Sequence, residues 1–264
     1  RRAQKGLSRV FTLSQLGTQS LEKMGFAGRV TQIPLGFDPS LFCPQSSDQV
    51  AQTRQRLGLR EKTVGYFGRL SPEKGIELLL EAMACQKDMR WQLMIDDFKN
   101  NHSEYFLGLK QRIREYGLSD RVVFFGASHE TIADYMNACH FAVLPSRTWQ
   151  GRPEQYGRVV PEAMACGKVV LGSSSGAIPE LLGNPRFIFE EGNVHALSTL
   201  IRRTLLLTEE ELYELGERGR KRALEHLSLT TQAQCFWELL QKDELHWKAS
   251  RQKDALGFLQ ETPS

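Results

Sequence analysis

From Thr63 onward the chain alternates short apolar runs with longer helix-forming segments, and this alternation constrains the fold more than any other feature. The runs Thr63–Phe67, Trp91–Ile95, Val122–Phe125, Phe141–Leu144 and Val169–Gly172 are each four or five residues long and mostly β-branched, aromatic or aliphatic. Helical composition lies between them, at about Ile76–Cys85, Tyr105–Tyr116, His129–Asn137 and Val159–Cys166, with a further helix near Ile178–Leu182. Strands separated by helices cannot close hairpins with one another. They pair in parallel, with the helices covering both faces of the sheet. The expected architecture is a doubly wound, Rossmann-like α/β domain over residues 63–207.

The flanks read differently. Leu7–Leu13 is a predicted strand, Ser14 the N-cap of a helix ending near Met24-Gly25, and Arg29–Ile33 a second strand. The Pro/Gly/Asp-rich segment from Pro34 to Pro39 and the polar stretch after it read as an interdomain connection, residues 37–62. From Thr208, a capping residue followed by acidic side chains, helices extend to about residue 241, and residues 242–264 form a tail expected to be poorly ordered.

Composition excludes several classes. A net charge of +3, from 34 Lys and Arg against 31 Asp and Glu, with no basic run interleaved with aromatics, argues against a nucleic-acid partner. No apolar stretch reaches the ~20 residues needed to span a bilayer. The five cysteines include no Cys-x-x-Cys pair, and most sit among apolar neighbours, so reduced thiols in a cytoplasmic protein are expected. The Asn101 sequon and the internal Lys242–Leu245 are read as chance matches. The chain starts at Arg1 and is expected to be a piece of a longer protein.

In a doubly wound sheet, ligands sit beyond the carboxyl ends of the strands. Gly68-Arg69, Asp96-Asp97, Gly126-Ala127, Pro145-Ser146 and Gly172-Ser173 fall there. Two segments at that edge carry chemistry. Gly68–Gly75 (GRLSPEKG) puts a bidentate guanidinium, Arg69, and a point charge, Lys74, in a glycine-flanked loop, as neutralising a diphosphate requires. Glu154–Gly167 (EQYGRVVPEAMACG) places Glu154 in a loop and Glu162, with seven residues between, about two turns into a helix. The intervening Gly157 allows backbone N–H groups to approach an anionic ligand.

Together these segments resemble the retaining nucleotide-sugar glycosyltransferases of glycosyltransferase family 4, which have the GT-B fold. VVFFGASHE (Val122–Glu130), FAVLPS (Phe141–Ser146), SSSGAIPELLG (Ser173–Gly183) and IPLGFDPSLFCP (Ile33–Pro44) add to the match, which extends from about Val10 to Leu240. The resemblance implies that residues 63–207 are the donor-binding domain, that residues 1–36 are the last strand–helix–strand of the amino-terminal domain, and that the final helices cross back to it. It implies transfer of a hexose from a UDP- or GDP-sugar to a hydroxyl acceptor. Arg69 and Lys74 would hold the β-phosphate, with Gly68 beside them, and Glu154 would bind donor-sugar hydroxyls. Glu162 would take the ribose hydroxyls, the N–H groups of Gly157, Arg158 and Val159 a phosphate, and main chain near Ser128 the base. No metal or other cofactor is implied. Acceptor binding, and any membrane association, would fall to the amino-terminal domain. A non-catalytic nucleotide-sugar-binding or regulatory module is the alternative.

The sequence departs from the family pattern in three places. Asp96–Asn100 replaces a glycine-rich turn, Lys168 follows Gly167 where a proline is usual, and Ala177 replaces the second of two glycines.

Overall fold

A computed structural model of the chain describes residues 9–97 and 103–242. Leu7 and Ser8 of the first expected strand, Phe98–Asn100 after the second strand of the large sheet, Asn101 and His102 of the sequon, and the tail from residue 243 lie outside these residues.

Strands β1 (Arg9–Thr12) and β2 (Arg29–Gln32) form a two-stranded parallel sheet, joined by α1 (Gln15–Lys23). Ser14 caps α1 by accepting the Gly17 N–H at 3.4 Å. The expected connection contains a helix, α2 (Ser47–Arg56). Its sequence, SDQVAQTRQR, has no apolar stripe, so periodicity does not reveal it. A reciprocal Ser46–Gln49 capping box starts it, and Arg54 anchors it by donating to the Ala138 carbonyl at 2.7 Å and the Glu61 carbonyl at 2.9 Å.

The large sheet consists of β3 (Thr63–Tyr66), β4 (Gln92–Asp96), β5 (Val122–Phe125), β6 (Phe141–Leu144), β7 (Val169–Ser173) and β8 (Ile188–Phe189). All pair in parallel, in the spatial order β5-β4-β3-β6-β7-β8. Side chains alternate between two cores, as the strand period of two demands. Val64, Tyr66, Leu93, Ile95, Phe141 and Val143 pack with α3 (Ile76–Ala84), α4 (Glu104–Glu115) and α8 (Val194–Leu205). Met94, Ala142, Leu144 and Val170 pack with α5 (Ile132–Ala138), α6 (Val159–Ala165) and α7 (Ile178–Leu182). Because both faces are covered, the central strands read as unbroken apolar runs. The largest buried side chain, Trp91, satisfies its indole N–H on the Gln86 carbonyl at 2.8 Å.

One helix start differs from expectation, and two elements are added. The segment after β5 makes a turn at Ser128–Thr131 before α5 begins, so His129 precedes that helix. The two-residue β8 and α8 are additions that the sequence reading did not specify. Helix α9 (Glu209–His226) starts at a Thr208–Glu211 capping box, and residues 229–242 are helical.

The order of the strands matters for function. The chain builds outward from β3 to β5, then returns to lay β6 on the other side of β3. The loops after β3 and β6 therefore diverge and leave a crevice between them, where ligands bind in such sheets.

Candidate functional site

At that crevice the loop after β3 is shaped by three local devices. The Tyr66 hydroxyl donates to the Arg69 carbonyl at 2.8 Å, a single turn at Pro72–Lys74 reverses the chain, and Gly75 adopts φ +65°. A Cβ on Gly75 would lie 2.1 Å from the Pro145 carbonyl oxygen, so only glycine lets this loop close against the end of β6.

Closure brings Lys74 to Glu154. Their Nζ and Oε2 atoms are 2.5 Å apart, and the same carboxylate oxygen accepts the Ser146 hydroxyl at 2.8 Å. The two side chains are 17% and 10% exposed, so the pair is largely shielded from water and less screened than a surface ion pair. The backbone of Glu154 is fixed from below. Its N–H donates to the Ser175 hydroxyl at 3.3 Å and its carbonyl accepts the Ala177 N–H at 3.1 Å. Between them Gly176, at φ +56°, passes so close that a Cβ would lie 1.8 Å from the Glu154 carbonyl oxygen. Ala177 itself is right-handed helical, so the close approach belongs to Gly176 alone and the alanine is accommodated.

Beside this pair opens a cleft of about 270 Å³, lined by Phe67, Gly68, Asp96, Ser128, Val159 and Glu162, with Arg158 at its side. Helix α6 starts at Val159, so Glu162 lies in its first turn, closer to the helix start than the two turns expected. Glu162 is buried, and burial pushes its carboxyl up to about 7 against the opposing pull of Arg158, whose Nη2 is 3.2 Å away. Asp96, also buried, accepts the Ala127 N–H at 3.4 Å.

The remaining expected site residues are placed as follows. Arg69 does not join Lys74 in a clamp: its guanidinium turns to Glu73, at 3.6 Å, and stays 70% exposed. Gly157, at φ +84°, lies under the Glu154 side chain, where an added Cβ would be 3.6 Å from Cγ. Ser128 is engaged locally, its N–H donating to the Thr131 hydroxyl at 3.0 Å. His129 stacks edge-on against Phe42. His140 sits at the opposite end of the sheet, where its Nδ1 accepts the Thr63 N–H at 2.9 Å. Burial, with Arg54 and Lys168 nearby, drives its imidazole down to about 3 and keeps it neutral. Lys168, the residue in the proline position, pegs the Asn137 carbonyl at 2.8 Å at that same end, away from the crevice.

Residues that the sequence reading left without a role are Ser146, Arg147, Glu77 and Ser175. Ser146 and Arg147 carried one signal, their position immediately after the buried strand β6. Ser175 lay within the matching segment Ser173–Gly183 without a role of its own, and Glu77 carried no signal, because their roles depend on partners 21 and 70 residues away. Among the described residues no helix is long and apolar enough to cross a membrane.

Comparison with known proteins identifies the family and the fold. The sequence model of the family described as Glycosyl transferases group 1 matches residues 49–222. The lipopolysaccharide core biosynthesis mannosyltransferase LpsB of Rhizobium meliloti is 32% identical over 157 residues, which is 58% of this chain and 42% of that protein. The MMP alpha-(1->4)-mannosyltransferase of Mycolicibacterium hassiacum is 30% identical over 203 residues, 74% of this chain and 44% of that protein. The chain thus spans less than half the length of these relatives. Among solved structures, sucrose-phosphate synthase from Thermosynechococcus elongatus superimposes with a TM-score of 0.77 at 29% identity, covering 90% of this chain and 59% of that one. Anabaena Alr3699/HepE, solved in complex with UDP-glucose, gives 0.78 at 29% identity over 91% of this chain and 65% of its own. The doubly wound sheet is that of the GT-B glycosyltransferases. With well over half of its length matched by the family's sequence pattern, the chain belongs to the group 1 glycosyl transferases.

Proposed function

We propose that the chain is the carboxy-terminal, donor-binding portion of a retaining glycosyltransferase of family 4, which moves a hexose from a UDP- or GDP-sugar to a hydroxyl acceptor. The observation that carries this reading is the Lys74–Glu154 pair beside a cleft floored by Glu162, at the point where the strand order reverses. HepE, with a similar fold, has been solved with UDP and with UDP-glucose, which supports a nucleotide-sugar donor.

In this reading the base rests on main chain near Ser128 and the ribose hydroxyls donate to Glu162. The diphosphate meets Gly68, Lys74 and the N–H groups of Gly157, Arg158 and Val159. Arg69, exposed and held only by Glu73, swings onto the phosphate. Lys74 then shares its charge between Glu154 and the departing diphosphate, which stabilises the negative charge that develops as the sugar leaves. Glu154 accepts hydroxyl protons of the donor sugar. These groups carry the charge neutralisation, and the reading assigns no part of it to a metal. Acceptor binding falls to the portion of the protein that the relatives have beyond this match.

Calorimetric titration of the chain with UDP, GDP, ADP and NAD tests the assignment. Saturable binding of UDP or GDP, weakened at least tenfold by Arg69→Ala combined with Lys74→Ala, is the expected result. Binding of no nucleoside diphosphate, or binding indifferent to the double substitution, sinks it. If the longer protein binds the donor but transfers no sugar to any hydroxyl acceptor, the non-catalytic binding module becomes the better reading.

A further inference from the structure

The loops bearing Lys74 and Glu154 belong to different strands, so something must hold them together before a ligand arrives. Arg147, directly after β6, spans the gap. Its backbone N–H donates to the Glu73 carbonyl at 2.9 Å, and its Nε donates to the Pro72 carbonyl at 2.9 Å. Its Nη2 pairs with the carboxylate of Glu77, in the first turn of α3. Glu77 is in turn fixed by the Tyr105 hydroxyl from α4, which donates to its other oxygen at 2.5 Å.

The guanidinium is itself restrained. It lies 4.9 Å from the ring of Trp149, which stands on a tight hairpin closed by reciprocal Trp149–Arg152 backbone bonds. Gln150 and Gly151 at its tip have φ +49° and +73°, the primed-turn geometry. The neighbouring Thr148 donates both its N–H, at 2.7 Å, and its hydroxyl, at 2.8 Å, to Glu191. Arg147 is thus a rigid fork with its stem in the Glu154 loop and its tines on the Lys74 turn.

We infer that Arg147 is a positioning residue of the donor site, holding the Pro72–Lys74 turn at the height where Lys74 meets both Glu154 and a bound diphosphate. The inference rests on the donor-site reading above. It does not require Arg147 to touch the ligand. Arg is needed because two separate acceptors, a carbonyl and a carboxylate, must be met by one planar group, which a lysine ammonium on a flexible stem does not reproduce.

A double-mutant cycle on this chain reads the effect, with UDP and GDP as the titrated ligands. Arg147→Ala lowers affinity at least tenfold, Arg147→Lys stays within threefold of the alanine variant, and Lys74→Ala also costs at least tenfold. The Arg147→Ala, Lys74→Ala double variant loses no more than about threefold beyond the worse single, because both remove the same contact. A residue that only stabilises the fold would instead give additive losses. Additivity, or an Arg147→Ala affinity within twofold of the parent, overturns the inference while leaving the donor site standing. If the parent chain binds neither nucleotide, the donor-site reading and this inference both fall. Should Arg147→Ala not fold, Glu77→Gln takes its place: it keeps the shape and removes the charge partner. A three- to tenfold loss coupled to Lys74→Ala is then expected, and a change within twofold refutes the inference.

Discussion

Lys74 Nζ and Glu154 Oε2 are 2.5 Å apart although 80 residues separate them in the chain. An ammonium and a carboxylate this shielded neutralise each other, so an incoming anion must compete with Glu154 for the lysine. The pair sets both a stability term and a binding term of opposite consequence.

Glu154→Gln leaves Lys74 without its counter-charge in a mostly buried position. The expected loss of stability is about 1–3 kcal/mol, since an uncompensated charge costs more than the pair itself is worth. The same change frees Lys74, so UDP or GDP alone binds as well as before or several-fold tighter, whereas a nucleotide-sugar binds more weakly. Urea denaturation and calorimetry on the same sample check both parts. Weakened binding of the bare diphosphate would contradict the competition argument.

Gly176→Ala should be costly at a site with no side chain to lose. Its φ of +56° disfavours any Cβ, and the nearest neighbour of that Cβ is the Glu154 carbonyl oxygen, a backbone atom that cannot rotate away. A destabilisation of about 2–4 kcal/mol is expected, with loss of nucleotide affinity as Glu154 is displaced. A midpoint shift in urea corresponding to less than about 1 kcal/mol would show that the loop yields.

Glu162 makes stability fall as pH rises. Its carboxyl is held up near 7 in the fold by burial, above its ordinary value of 4.5, so between those values the folded chain binds more protons than the unfolded one. Stability from this group is complete below about pH 4.5 and is lost through pH 7, a contribution of about 3 kcal/mol at most. Nucleotide affinity runs the other way, because the ionised carboxylate is the better acceptor for ribose hydroxyls. Affinity in the parent should rise more steeply between pH 6 and 8 than in Glu162→Gln, where ionisation of the nucleotide's terminal phosphate alone remains. A pH profile unchanged by the substitution would rule Glu162 out as its source.

Glu180 ties the small sheet to the large one. Its carboxylate accepts the Gln15 N–H at the start of α1, at 2.9 Å, and the Gln32 side-chain amide at the end of β2. Glu180→Ala should therefore speed amide hydrogen exchange across α1 and β2 while β3 and β6 keep their protection. Uniform loss of protection would mean that the two sheets unfold as one unit.

The fold class was legible because its determinants are local. Four- and five-residue apolar runs spaced by helices specify a parallel sheet wherever they occur, and the strand ends then name the edge at which a ligand binds. Gly68, Arg69, Lys74, Glu154 and Glu162 stand out on that edge by residue type and spacing. Helix α2 was not legible, because a polar helix held by its cap and by one arginine has no apolar stripe to betray it. The two-residue β8 is too short for any pattern.

What the sequence by itself determined is the layered α/β architecture and the set of chemically capable residues at one of its edges. Only the tertiary structure decided how those residues pair. Lys74 meets Glu154 while Arg69 turns away to Glu73, Gly176 and not Ala177 bears the close approach, and Arg147 locks two loops that are adjacent only after β6 has been laid beside β3. Electrostatic and hydrogen-bond energies depend on distance and on burial, and both are set by strand order and loop closure across tens of residues, which no local stretch of sequence encodes.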